Sequence, residues 1–524
     1  MIAKQRIILT SLVGLFLATF GIVYVFNLER IQRFTLKWLM VLRPGSMITN
    51  LWENPSLDIT VDIYLFNWTN AADFKNNSIK PHFEELGPYT FTEKMQKQNI
   101  VWHDENSTVS YFRKSSFYFD EAASVGNLTD PVVAPNSLAA GVYNKIQNWS
   151  PMVRSALDLG LKIYGNDITI VRPANDWLFN GFDTPLIKMS KLLPSSIIPE
   201  LQFPYERMGY GYPRNGSTEV YGHHNVYTGR DEFSKLGQIA RWRYDTVAGG
   251  HTKCGHIKGS TGEFHTIPLK QGEPISYFLP DLCRELYVDY AGTTVYEGIH
   301  AYVYKGTARN LANGTDNPDN SCYCSDDCQE VPSGLLNISA CWYNAPVFFS
   351  YPHYYQADPY YVNQVDGLKP DKDRHEMTLI LEPKTGMLLD IRARVMISLL
   401  VEPWKHSTMY RKSRRTFFPL VWADYNPHIT PELLGYLKLL SLSEVLGKVC
   451  GLICVAIGVI MLLWYPRQIY WQKQLMRRIE LSNLENRAQT AARSDQFKAH
   501  AEASPLLVGL QYMASSKEGN STAS

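Results

Sequence analysis

Two apolar segments, one near each end of the chain, bracket more than 400 residues that carry eight Asn-x-Ser/Thr signals and six of the eight cysteines. Few architectures are open to such a chain, because about 20 consecutive apolar residues match the ~30 Å hydrocarbon thickness of a bilayer. The first segment, Ile7 to Phe26, is 20 residues long and has no charge. Val23, Tyr24, Val25 and Phe26 stand where a leader peptidase needs small residues, so it reads as an uncleaved signal anchor. The second, Leu446 to Tyr465, holds only Lys448, whose ammonium can snorkel, and is closed by Arg467.

The flanks set the expected orientation. Lys4 and Arg6 precede the first span, and Arg467, Lys473, Arg477 and Arg478 follow the second, which places both termini in the cytosol. The expected parts are a cytosolic N-terminus (1–6), a span (7–26), an extracytoplasmic ectodomain (27–445), a span (446–465) and a cytosolic tail (466–524). Asn67, Asn76, Asn106, Asn127, Asn148, Asn215, Asn313 and Asn337 all fall in the ectodomain, where they become glycosylation sites; Asn520, in the tail, stays bare. A net charge of +1 argues against nucleic acid as partner, and a mean hydropathy of -0.21 points to a large globule rather than a polytopic bundle.

Within the ectodomain the clearest periodicity is two. Leu57, Ile59, Val61, Ile63 and Leu65 alternate with Asp58, Thr60 and Asp62. Ile391, Ala393, Val395, Ile397, Leu399 and Val401 alternate with Asp390, Arg392, Arg394 and Ser398, after a hairpin turn at Glu382 to Gly386. Between about 142 and 204 the pattern turns helical. Arg154, Asp158 and Lys162 form a narrow charged stripe, which leaves an apolar remainder that such a helix is expected to bury. A second helix is expected from Pro185 to Leu193, opened by Thr184 and stopped by Pro194. The region reads either as an ordinary helical subdomain or as an apical cap that receives ligands.

The six ectodomain cysteines, Cys254, Cys283, Cys322, Cys324, Cys328 and Cys341, allow 15 pairings into three disulfides. Zinc held by the 322–328 cluster with His256 is the weaker reading in an oxidising compartment. Cys450 and Cys454 read as packing residues of the second span. No nucleophile elbow, zinc-binding His-Glu-x-x-His or Walker loop occurs, and the histidines at 223, 224, 251, 256 and 265 read as surface or sheet-edge residues. No catalytic residue, metal or cofactor is expected.

Phe66-Asn-Trp-Thr-Asn70, Leu86-Gly-Pro-Tyr-Thr-Phe91, Asn317-Pro-Asp-Asn-Ser-Cys-Tyr-Cys324, Ser350-Tyr-Pro-His-Tyr354, Val365-Asp-Gly-Leu-Lys-Pro370 and Leu381-Glu-Pro-Lys-Thr-Gly386 occur in the order found in the class B scavenger receptors. On these strings the chain resembles that family, as an invertebrate-type member. The resemblance implies a mainly β fold with some α: an antiparallel β-barrel-like ectodomain with an apical helical bundle and an internal apolar tunnel, held by two transmembrane helices. It also implies Cys254–Cys322, Cys283–Cys341 and Cys324–Cys328 disulfides, and ligand contact through the basic residues Arg154, Lys162 and Arg172 of the cap. Yet residues 142–204 hold six Lys/Arg against five Asp/Glu, so a strongly cationic trap is not expected there.

The implied function is binding lipids (fatty acids, sterols, phospholipids) or lipoprotein particles and passing cargo through the tunnel. Each methylene kept from water saves about 0.8 kcal/mol, so an enclosed path needs no chemistry. In the tail, Glu502 stands four residues before Leu506-Leu507, as in the adaptor-binding signal of the family's lysosomal member, which points to a clathrin adaptor as partner and to late endosome or lysosome beside the plasma membrane. The alternatives are a sorting receptor whose apical helices carry a lumenal enzyme, a cell-surface receptor for lipoproteins or apoptotic cells, a two-span ion channel and an ectoenzyme. The second span has no acidic or amide residue to line a pore, and Gly14-x-x-x-Ala18 and Gly447-x-x-x-Gly451 suit helix packing in the bilayer, within one chain or in a homo-oligomer.

Overall fold

The computed structural model describes residues 2–55, 58–75, 79–163, 167–192, 202–249, 255–323 and 331–503. They form two compact units, one of Arg33–Ser441 and one of Met1–Gln32 with Leu442–Ser524.

The larger unit is built on strands β1 (Asp58–Trp68), β2 (Phe83–His103), β3 (Thr108–Phe119), β4 (Pro131–Pro135), β5 (Thr169–Pro173), β6 (His223–Tyr227), β7 (Ile239–Trp242), β8 (Ile275–Leu279), β9 (Arg284–Tyr296), β10 (Ile299–Lys305), β11 (Leu336–Asn337), β12 (Val347–Ser350), β13 (Thr378–Leu381), β14 (Leu388–Val401) and β15 (Thr416–His428). All but the β4–β5 pair belong to one thirteen-stranded sheet in the order β7-β6-β3-β2-β1-β15-β14-β13-β10-β9-β8, with β11 and β12 branching from β14. The ladders are antiparallel, and the first and last strands are neighbours, with Asp58 opposite His428 and Leu65 opposite Val421. Residues 259–261 bridge the two ends of the order, β7 and β8, so the sheet is nearly closed into a barrel.

Side chains follow the pleat. Ile59, Val61 and Ile63 of β1 are buried, and Ile391, Ala393, Val395 and Ile397 of β14 point to the same interior. On the outer face, Arg392 and Arg394 meet Asp424 of β15 at 3.6 and 3.0 Å. The expected alternation fails beyond Ile397. The register shifts there, and Ser398, Leu399, Leu400 and Val401 are all buried, because β12 pairs with this half of β14 and aromatic residues cover it.

Several of the shared strings are structural fixtures. Glu382 caps its own turn, accepting from Thr385 N at 2.7 Å and Thr385 Oγ1 at 2.6 Å. Gly367 has φ +99°, and a Cβ there would overlap the Phe83 carbonyl. His353 accepts from Lys369 N at 3.1 Å and meets the Glu85 carboxylate at 2.5 Å, so two of the strings hold each other.

Helices α2 (Met47–Glu53), α3 (Ser137–Ile146), α4 (Pro151–Ile163) and α5 (Pro185–Leu192) also belong to this unit, beside shorter helical turns. The expected helix at Pro185 is present, with Thr184 Oγ1 accepting from Ile187 N at 3.2 Å. The helical region is not purely helical, since β5 and a π-helical turn (Asp176–Asn180) lie between α4 and α5.

In the smaller unit, the part of helix α1 (Ile2–Met40) up to Gln32 faces the part of the C-terminal helix (Pro431–Ala503) from Leu442 on; both helices exceed the apolar runs read from the sequence. Gly21 packs where a Cβ would lie 2.6 Å from the Gly451 carbonyl, and a Cβ on Gly458 would lie 2.5 Å from Ala18 N. The small residues of both spans therefore serve one intramolecular interface, while Cys450 is exposed rather than packed.

Candidate functional site

The barrel interior is not filled. It holds a cavity of about 1050 Å³, just beyond the usual upper size of small-molecule sites. Its size follows from the strand number, since a barrel of more than about eight strands is too wide for side chains to fill, and small inward residues such as Ala393 of β14 and Ala423 of β15 leave it open.

The wall has two characters. Along β1, β14 and β15 it is hydrocarbon, with Ile59, Val61, Ile391, Val395, Ile397 and Val421. Along β2 and β3 it carries charge, but the charges are paired. Glu93 meets Arg113 at 2.7 Å, Lys97 meets Glu263 at 2.6 Å, and Arg214 grips Asp281 with two bonds of 2.6 and 3.1 Å. Burial opposes ionisation of Glu93, yet the Arg113 charge and hydrogen bonds from Ser115, Arg113 and Tyr425 outweigh it and hold the carboxyl below its ordinary pKa. Burial likewise opposes the charge on Asp281, and Arg214 overrides it. His224, on the same wall, is pushed down to about 4 by burial and is neutral near pH 5 and above. Such a chamber offers shelter to hydrocarbon chains or rings, with dipolar groups at one side.

The residues expected from sequence fall elsewhere. Arg154 turns back to the preceding helix end, donating to Gln147 O at 2.6 Å; Lys162 is exposed in the last turn of α4; Arg172 lies on β5 with its guanidinium 5.1 Å from the Phe182 ring. None of the three lines the cavity. The face of α4 expected to be covered is covered only in part: Leu161 is buried and Leu157 packs against the core, but the charged stripe is buried at Asp158 as well. Asp158 is buried, accepting from Tyr143 Oη at 2.5 Å and Thr408 N at 2.8 Å, so it does not pair with Lys162. The apolar Met152 (82% exposed), Leu159 (58%) and Ile163 (71%) face outward instead.

Two histidines also depart from expectation. His224 is buried in β6, and His265 is buried between Gly386 O (2.7 Å) and Tyr277 Oη (2.8 Å). Cys283 and Cys341 are disulfide-bonded with Cα atoms 5.9 Å apart. Cys322 is also in a disulfide, whereas Cys254, Cys324, Cys328, His251, Asn76, Leu506 and Leu507 lie outside the described residues. Asn106, Asn127, Asn148, Asn215 and Asn337 are exposed, Asn67 and Asn313 half-buried. Glu502 falls near the end of the C-terminal helix, which reaches Ala503. The cavity wall itself was missed by sequence reasoning except on β1 and β14, the two strands whose alternation is long enough to read.

A sequence model described as the CD36 family matches residues 12–469. Protein peste of Drosophila melanogaster is 38% identical over 435 residues, 82% of this chain and 77% of its own length. Lysosome membrane protein 2 of Rattus norvegicus is 28% identical over 429 residues, 81% and 86% of the two chains. Scavenger receptor class B member 1 of Cricetulus griseus is 28% identical over 445 residues, 84% of each.

Proposed function

The chain belongs to the CD36 family, and from that premise we propose a class B scavenger receptor-like membrane glycoprotein that takes lipid, free or from a lipoprotein particle, into the barrel cavity and passes it on. The observation that carries this reading is the largely apolar chamber of about 1050 Å³ inside the nearly closed sheet. Two helices long and apolar enough to cross a membrane support a two-pass membrane protein, and the flanking cations support a cytosolic placement of both termini. Fatty acids, sterols and phospholipids are the cargo classes, the tail engages a clathrin adaptor through Glu502, Leu506 and Leu507, and no catalytic step is assigned. The other two disulfides are Cys254–Cys322 and Cys324–Cys328, and the eight ectodomain sequons carry glycans.

The test is to fill the chamber. Ala423→Trp and Ala393→Trp place bulk on the inner wall and are expected to abolish lipid transfer while particle binding at the surface persists. Equal loss of binding and transfer, or loss of neither, refutes the cavity as the route.

A second reading has its own observation. The outward apolar residues of α4 suit a protein cargo better than a polar lipid surface does, which favours a sorting receptor for a lumenal protein. Leu159→Asp with Ile163→Asp should then abolish co-purification of lumenal cargo and leave lipid transfer intact. Arg154, Lys162 and Arg172 contribute to ligand contact at this end of the domain only through Lys162 and Arg172, the two that are exposed.

A further inference from the structure

Between β7 and β8 the barrel has no strand-to-strand ladder. Residues 259–261 cross the gap. On one side Ile239 N donates to Gly259 O (3.0 Å) and Thr261 N to Gly237 O (3.3 Å); on the other Ser260 N donates to Ser276 O (3.0 Å) and Phe278 N to Ser260 O (2.9 Å). By contrast, β2 and β3 share a ladder from Phe91–Phe119 to His103–Thr108. Two backbone bonds a side make this the thinnest part of the closure among the described residues. It is also cavity wall, because Thr261, Gly262 and Glu263 line the chamber.

Side chains reinforce what the backbone leaves thin. Glu263 Oε1 meets Lys97 Nζ at 2.6 Å, Glu263 Oε2 accepts from Trp52 Nε1 at 2.7 Å, and Lys97 Nζ donates to Trp52 O at 2.6 Å. Lys97 comes from β2 and Trp52 from α2, so one carboxylate ties three segments. The Lys97 side chain is 1% exposed and its ammonium lies 4.7 Å from the centre of the Trp52 ring. Burial lowers the Lys97 pKa, and the Glu263 charge opposes that shift.

We propose that the 259–263 seam is a lateral portal of the cavity, through which a hydrocarbon chain or a sterol ring system leaves and enters sideways, with Glu263 as its latch. The proposal rests on the reading of the cavity as a lipid chamber. Opening any regular ladder of the barrel breaks a row of backbone hydrogen bonds at once, whereas parting one side of the seam breaks two backbone bonds and the few side-chain bonds beside them, Gln238 Nε2 to Thr266 Oγ1 on one side or His265 to Tyr277 Oη on the other, and frees one carboxylate. Gly259, at φ +93°, and Gly262, at φ +92°, stand at either side of the bridge, in backbone states that glycine alone adopts readily.

The test uses the full chain in detergent, loaded with a fluorescent fatty acid or a fluorescent sterol and mixed with phosphatidylcholine acceptor vesicles. Gln238 and Ser260 stand opposite each other as an antiparallel bridge pair, a spacing that suits a disulfide. In Gln238→Cys with Ser260→Cys, oxidation verified by mass spectrometry is expected to slow probe release tenfold or more relative to the same variant left unoxidised. Glu263→Gln, without any cross-link, is expected to speed release several-fold, with the rate scored per loaded molecule. Release from the cross-linked form at the unlinked rate, or no change in Glu263→Gln, overturns the portal. Failure of the wild-type chain to load either probe overturns the lipid chamber itself, and the portal with it; loading with no effect of the cross-link removes the portal alone.

Discussion

At the scale of single residues, the Glu85 site shows how a shared string becomes chemistry. Its carboxylate takes His353 at 2.5 Å, Arg374 at 2.9 Å and Trp422 Nε1 at 2.9 Å. Burial would raise its pKa, but these partners win and lower it to about 2. A depressed carboxyl stabilises the fold above its unfolded pKa, near 4.5, and that contribution is lost as pH falls towards 2. The side chain is 20% exposed, so the gain is of the order of 1–3 kcal/mol after screening. Denaturant midpoints for Glu85→Gln should thus lie below wild type at pH 7 and 5 alike, with the two curves converging towards pH 2 to 3. A gap that is unchanged at pH 2 would contradict this account. The strings containing His353 and Gly367 were visible in the sequence, yet their roles were not, because each depends on a partner from β2: the Glu85 side chain and the Phe83 backbone.

At the scale of elements, α4 is the instructive case. Period 3.6 in the sequence shows that a helix has two faces, but not which one is covered. The decision was made by Tyr143 and by Thr408, which lies 250 residues away and gives Asp158 a buried partner. Asp158→Ala should therefore cost about 1–3 kcal/mol, since it strands the Tyr143 hydroxyl and the Thr408 N–H. Met152→Ser on the outer face should cost no more than about 0.5 kcal/mol. Thermal unfolding of the purified ectodomain separates the two; equal effects would return α4 to the orientation read from its apolar residues. By contrast α5 was legible with its boundaries, because Thr184, Pro185 and the apolar spacing are local signals. The spans were legible for the same reason, while their extra turns were not, since polar residues such as Glu29 and Gln468 continue a helix without lengthening its apolar run.

At the scale of the whole molecule, topology and address are forecast together. Glycosidase should remove about eight glycans from the ectodomain sequons, and a tag at Ser524 should meet antibody only after permeabilisation; surface labelling of intact cells would reverse the orientation. Leu506→Ala with Leu507→Ala should weaken adaptor binding at least tenfold, about 1.4 kcal/mol, and move the protein from late endosomes to the plasma membrane. A double mutant that stays in place would leave the cell surface as the working compartment. The barrel as a whole was only partly readable, because short strands such as β7 and β12 carry too few residues to show a period and closure depends on pairings distant in sequence.

The pairing of β1 with β15 has a consequence in time. A ribosome delivers Asp58–Trp68 early and Thr416–His428 last, just ahead of the second span. Until that final strand emerges, β1 and β14 each present a bare edge, the surface on which unfinished β proteins adhere to one another. Synthesis must therefore outlast nearly the whole domain before the wall can shut, and nascent chains released before Thr416 should yield no usable ectodomain.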